Sequence, residues 1–247
     1  MIQIQPIFNI KEDYEALAES QGLFYEALEL SFDGVSPEKR AWYENCGRVK
    51  SFHGAFIDVN PGSSDGEIRT LSERKYRQSC DQALRCGAEN VVFHSTCATF
   101  LRGGYLDMWA GRCADFFEQL SDEYRDLHIF IENSFDIDPT PIKELMNRIS
   151  SKNVGVCLDI GHINYSGTPE KQWFDVLGER TGYLHLSDNM GIFDDHLPIG
   201  KGIVDWREIK KRIACLPLSS ATPATLEVGG MDNIKESLVY MRELGIM

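Results

Sequence analysis

The sequence lacks several things that would settle its class at once. Its seven cysteines (Cys46, Cys80, Cys86, Cys97, Cys113, Cys157, Cys215) are odd in number and never stand in a CxxC spacing. Neither a zinc knuckle nor a disulfide framework is expected from them; reduced, small core side chains are. No apolar run approaches the ~20 residues of a membrane helix, and the opening MIQIQPIFNIKED has neither the charged nor the apolar region of a secretory signal. A soluble, cytoplasmic protein with no membrane partner is the expectation. Basic charge is also short, with 25 Lys and Arg against 38 Asp and Glu for a net charge of −13. Nucleic-acid binders draw most of their affinity from a basic footprint, so nucleic acid is not the expected partner. No linker or low-complexity segment interrupts the chain.

What is present is a regular alternation. Ile2 to Phe8, Phe24 to Leu30, Val49 to Ile57, Asn90 to His94, His128 to Glu132, Val154 to Asp159, Tyr183 to Leu186 and Ala224 to Glu227 read as strands, most of them nearly all apolar. Between and after them, amphipathic patterns predict helices over Lys11–Gln21, from a Ser36 cap towards Cys46, and over Thr70–Cys86, Tyr105–Leu120, Pro141–Ile149, Glu170–Leu177, Trp206–Ala214 and Asp232–Leu244. Eight strand-then-helix units in 247 residues predict an α/β protein of the (β/α)8 TIM-barrel class, one domain over residues 1–247. An open doubly wound sheet is the alternative, but no GxGxxG follows the first strand.

Polar residues recur where those apolar runs end. His94, Glu132, Asp159, His185 and Glu227 each close a strand pattern, and His53 lies near the end of its own. In a parallel barrel those ends share the face on which active sites are built. Five of the six histidines (His53, His94, His162, His185, His196) fall on or just after these ends; His128, at the start of a strand, is expected on the opposite face. Taken singly, each has a plain structural reading: a satisfied histidine, or a carboxylate that caps the next helix. Taken together they point to a metal, because burying several carboxylates and imidazoles costs several kcal/mol unless a cation or hydrogen bonds compensate. The densest stretch is Tyr183–Trp206, where His185, Asp188, Asp194, Asp195 and His196 lie within twelve residues. Asp159 and His162, three residues apart across a strand-end turn, form a second natural pair. Gly103, Gly104, Tyr105 and Trp109 follow the fourth strand and are candidates to line a sugar pocket, whereas Trp206 is expected in the core and Lys201 in solvent.

The segments FHGAFIDVNP (52–61), VVFH (91–94), FIEN (130–133), CLDIGH (157–162), LHLSDN (184–189), DDHLPIGKGIVDW (194–206) and TLEV (225–228) together resemble the xylose isomerase-like TIM-barrel superfamily. It includes sugar phosphate isomerases and epimerases and the endonuclease IV type nucleases that act at abasic DNA. In its ketose epimerase branch the resemblance implies one divalent metal (Mn, Zn, Co or Fe) held by Glu132, Asp159, His185 and Glu227. It further implies that Glu132 and Glu227 exchange protons with a sugar or sugar phosphate, and that His162 contacts the substrate. Those epimerases carry an arginine just before the loop proline, whereas the nearby positions in this chain are Asp195 and His196, which leaves the sugar undetermined. In the nuclease branch the resemblance implies a three-zinc cluster, and all nine ligand types are matched: His53, His94, Glu132, Asp159, His162, His185, Asp194, His196 and Glu227. The expected activity is a metal-dependent isomerase or epimerase. A multi-zinc phosphodiesterase and a barrel that only binds sugar are the alternatives, and a homo-oligomer is left open.

Overall fold

The computed structural model describes residues 3–6, 25–28, 37–218 and 222–246. The helix expected over Lys11–Gln21 and the Ser36 cap lie outside them. Among the described residues the chain alternates as the sequence predicts: β1 (Gln3–Pro6), β2 (Tyr25–Leu28), α1 (Pro37–Asn45), β3 (Val49–His53), α2 (Gly66–Cys86), β4 (Asn90–His94), α3 (Gly104–Glu123), β5 (His128–Glu132) and α4 (Thr140–Met146). It continues through β6 (Val154–Asp159), α5 (Ile160–Ser166), α6 (Glu170–Leu177), β7 (Thr181–Leu186), α7 (Trp206–Ile213), β8 (Pro223–Leu226) and α8 (Met231–Leu244). Parallel strands alternating with helices make this the (β/α)8 class. No helix among the described residues is long and apolar enough to cross a membrane.

The chain divides into two compact units, residues 1–26 with 156–247, and residues 27–155. In the first the strands run in the order β1-β8-β7-β6, each parallel to its neighbour, with Asp159 opposite His185 and His185 opposite Thr225. Its core holds Trp173, Tyr183, Leu184 and Trp206, each no more than 2% exposed. In the second the order is β5-β4-β3-β2, and register sets His94 beside Glu132. Its core is aromatic: Tyr76 stacks on Phe93 at 4.1 Å between centroids, with Phe116 and Phe117 edge-on to Tyr76.

Boundaries moved where local chemistry outranks periodicity. α2 starts at Gly66 because Asp65 accepts from the Glu67 and Ile68 amides at 2.8 and 3.2 Å, a cap inside what reads as turn sequence. β3 stops at His53, short of Ile57. Gly54 gives the last ladder bond, to the Val92 carbonyl at 2.8 Å, and Asp58 then turns the chain with φ 59°. α5 was not expected at all. It is seven residues long and begins immediately after β6, capped by the strand's own last residue. Of the cysteines, five are buried as expected, but Cys46 is half-buried and Cys215 exposed.

Candidate metal centre

In the first unit, parallel register does most of the assembly. Asp159 ends β6, His185 is the penultimate residue of β7 opposite it, and Glu227 follows β8, its amide still bonded to the Leu186 carbonyl at 2.9 Å. Residues paired in a parallel sheet direct their side chains to one side, so three strand ends deliver two carboxylates and an imidazole together. His185 Nδ1 lies 3.4 Å from Glu227 Oε1 and 3.9 Å from Asp159 Oδ2. The three are 0%, 4% and 0% exposed in the order His185, Glu227, Asp159. Asp159 is also a helix cap: its Oδ1 accepts from the His162 amide at 2.6 Å, so the structural and chemical readings of this carboxylate hold at once.

His162, Asp194 and His196 form a neighbouring cluster. Asp194 Oδ2 lies 3.2 Å from His162 Nε2 and 2.7 Å from His196 Nε2. His196 Nδ1 lies 2.8 Å from the Glu227 carbonyl oxygen, which accepts only, so Nδ1 carries a proton. With the ionised Asp194 on the other nitrogen, His196 is doubly protonated. Burial alone would lower its pKa. The Asp194 hydrogen bond and the charges of Glu227, Asp194 and Asp159 overcome that and lift it to about 9. Burial likewise pushes Asp194 up, and the hydrogen bonds from His162 and His196 outweigh it, holding the carboxyl well below the usual range.

Two acidic residues of the dense stretch do other work. Asp195 accepts from the Met190 amide at 3.2 Å, a turn contact. Asp188 is buried and spends both oxygens on loop amides and on the Trp206 indole. Trp206 is thus core, as expected, but anchored at one end. Lys201 is solvent-exposed and pairs with Glu236 at 2.5 Å. Sequence reasoning missed Asp188 and Asn189 as organisers of the loop. The available signal was the spacing of Gly200 and Gly202: a Cβ on Gly202 would lie 2.2 Å from Asp188 Oδ1 and 2.3 Å from the Asn189 carbonyl.

In the second unit, His53, His94 and Glu132 gather at the ends of β3, β4 and β5, all buried. His53 Nε2 and His94 Nε2 each lie 3.5 Å from Glu132 Oε2. Phe56 packs on both imidazoles, at 4.9 and 5.0 Å between centroids. His128, the first residue of β5, is exposed at the opposite end of its strand, as expected. Trp109 is not a pocket wall: it is 2% exposed and packed so closely on Gly62 that a Cβ there would meet its Cδ1 at 2.3 Å. Tyr105 is exposed.

The donor set suits a divalent ion. Two ligands about 2.1 Å from one tetrahedral metal stand roughly 3.4 Å apart. The Glu227–His185 and His185–Asp159 spacings, 3.4 and 3.9 Å, lie at or slightly outside that separation. Mixed imidazole and carboxylate ligands fit Zn, Mn, Co or Fe rather than calcium.

Known proteins place the chain in a family. A protein of Methanocaldococcus jannaschii, itself uncharacterized, is 27% identical over 180 residues, 65% of this chain and 58% of that one, so the match spans less than two thirds of that relative. A D-tagatose 3-epimerase-like protein has the same fold, with TM-score 0.82, 22% identity and coverage of 98% and 97% of the two chains. So does the IolI protein solved with a zinc atom, with TM-score 0.78, 16% identity and 98% of each chain covered. The family model for the xylose isomerase-like TIM barrel matches residues 24–244, and the chain belongs to that family.

Proposed function

We propose that this protein is a divalent-metal-dependent isomerase or epimerase of a sugar or sugar phosphate. The observation that carries the reading is the buried Asp159–His185–Glu227 triad, whose spacing suits one ion. Glu132 is the fourth ligand that the family resemblance implies. Epimerase-like and zinc-bearing proteins of the same fold support it.

The metal, when bound, supplies Lewis-acid stabilisation of the negative charge that develops as a carbon-bound proton leaves. The chain's own residues do the rest. Glu132 ends β5 and Glu227 follows β8, far apart in sequence order, and they act as the base and acid that exchange the proton at carbon. His162 orients a substrate hydroxyl, its own position fixed by Asp194 and by the α5 cap. Burial keeps water from competing for the carboxylates. The test is a ketose panel in deuterated water with metal restored. Deuterium at carbon in substrate or product supports the reading, and an intact metal site that exchanges no carbon-bound proton of any ketose sinks it.

A second reading is favoured by one observation. His53 and His94 converge on Glu132 Oε2, although a one-metal set does not need them. A three-zinc phosphodiesterase does. Metal stoichiometry decides: one ion per chain supports the sugar enzyme, and three zincs with cleavage of abasic DNA support the nuclease.

A further inference from the structure

The loop between β7 and α7 contains no helix or strand, yet it holds Asp194 and His196 against His162 and the Glu227 carbonyl. Asp188, fully buried, closes it. Its amide donates to the Leu197 carbonyl at 3.0 Å, and its own carbonyl accepts from the Leu197 amide at 2.8 Å. Oδ1 accepts from the amides of Asn189 and Val204 at 2.9 and 3.2 Å; Oδ2 accepts from the Gly200 amide and the Trp206 indole at 2.9 and 2.8 Å. A carboxylate offers about four lone-pair sites, and all are used. Asp188 therefore has none to turn towards a cation, and it joins the start of the loop to its last turn.

Asn189 ties the closed loop down. Its Nδ2 donates to the Gly161 carbonyl at 2.8 Å, and its Oδ1 accepts from Asn164 Nδ2 and the Gly191 amide at 2.7 and 2.9 Å. Gly161 lies between Asp159 and His162. The approach admits no side chain there: a Cβ would stand 2.3 Å from Ser187 Oγ and 3.2 Å from Asp159 Oδ1.

We propose that Asp188 and Asn189 are the positioning pair of this site, Asp188 closing the loop on itself and Asn189 registering it on α5, so that Asp194 and His196 meet His162. The placement stands on the hydrogen bonds; its consequence for turnover rests on the isomerase reading above. Asp188→Asn is the sharp variant, because whichever oxygen becomes an amide NH2 then faces two N–H donors. Trp206→Phe is the mild one, removing a single donor with its five-membered ring and keeping a six-membered aromatic ring in the core.

The experiment compares histidine side-chain 15N–1H spectra of the metal-free full chain, with Co(II) affinity measured by chelator competition. Asp188→Asn is expected to shift the His162 and His196 signals, leave His128 in place, and weaken Co(II) binding about ten- to hundredfold, as loss of supporting shells around metal sites does. Trp206→Phe should move the same two signals in the same direction, by less. If Asp188→Asn does not fold, Trp206→Phe decides alone. Unmoved His162 and His196 signals in a folded variant overturn the proposal, as does a change in which His128 moves with them, since that is loss of fold and not of position. Shifted signals in a protein whose wild type exchanges no carbon-bound proton support the positioning pair and sink only the isomerase reading.

Discussion

The two compact units build their polar clusters by different means. His53, His94 and Glu132 are all strand-terminal residues, and strand register with the Phe56 ring accounts for their placement. In the other unit Asp159 and His185 are placed by strands, but Asp194 and His196 arrive on an irregular loop that Asp188 and Asn189 must hold. A strand end costs nothing further to order once the sheet has formed. A loop loses backbone freedom, of about 1–2 kcal/mol per residue, unless buried hydrogen bonds repay it. The strand-delivered groups should therefore carry the metal, and the loop-delivered ones should depend on their supports.

The largest effect that would sharpen this contrast concerns metal binding. His185→Ala leaves Asp159 and Glu227 facing each other without the imidazole and should weaken metal binding by more than about a hundredfold, with activity at background. His53→Ala should leave one ion per chain and lower affinity by less than about tenfold. Dialysis followed by elemental analysis measures both. If His53→Ala removes a whole equivalent of metal, the two clusters are equal partners and the three-zinc reading replaces the one-metal reading.

A second pair of variants tests packing in each unit. Gly202→Ala drives a methyl into Asp188 Oδ1 and the Asn189 backbone, at 2.2 and 2.3 Å, and main chain cannot rotate away. Gly54→Ala drives one into Phe93 Cε1 at 2.1 Å, against a ring that Tyr76 stacks upon. Both should cost about 2–3 kcal/mol in urea unfolding, Gly202→Ala the more, and only Gly202→Ala should also weaken metal binding. Equal metal affinity in the two would mean that the loop's packing does not bear on the centre.

The same contrast explains how much of the fold and of the site is legible in the sequence. β4, β5 and β6 fall where the apolar runs predict, to the residue, and so do the polar residues that end them. Burial on both faces of a parallel sheet leaves a continuous apolar string, and a charged terminus stands out against it. α5 is not legible there because seven residues carry too little periodicity, and because Asp159 and His162, whose spacing points to chemistry, are also its cap and its third residue. Asp188 looked like a ligand because a sequence shows that a carboxylate lies near others but not which amides will fold back to it. Those amides come from positions 200 and 204, and only the glycine spacing hinted that the main chain closes in there.

The smallest effect lies far from the polar clusters. Glu118, half-buried on α3, accepts from the Ser150 amide and hydroxyl, with the hydroxyl bond at 2.8 Å, and from the Ser151 amide at 3.3 Å and the Ser151 hydroxyl. Burial is the largest single influence and raises its pKa, but the four bonds to Ser151 and Ser150 together more than reverse that, lowering it from 4.5 to about 2. A carboxyl whose pKa is lower in the folded than in the unfolded chain stabilises fully above its unfolded value, and the contribution fades as pH falls towards the folded one. Glu118→Gln should therefore cost about 1 kcal/mol at neutral pH, a modest figure because solvent screens a partly exposed group. The gap to wild type should narrow as pH is lowered from about 4.5 towards 2. Urea titrations at a series of pH values measure it. A gap that stays constant with pH would mean that the two serines hold the glutamic acid as well as the glutamate, so that the charge adds nothing there.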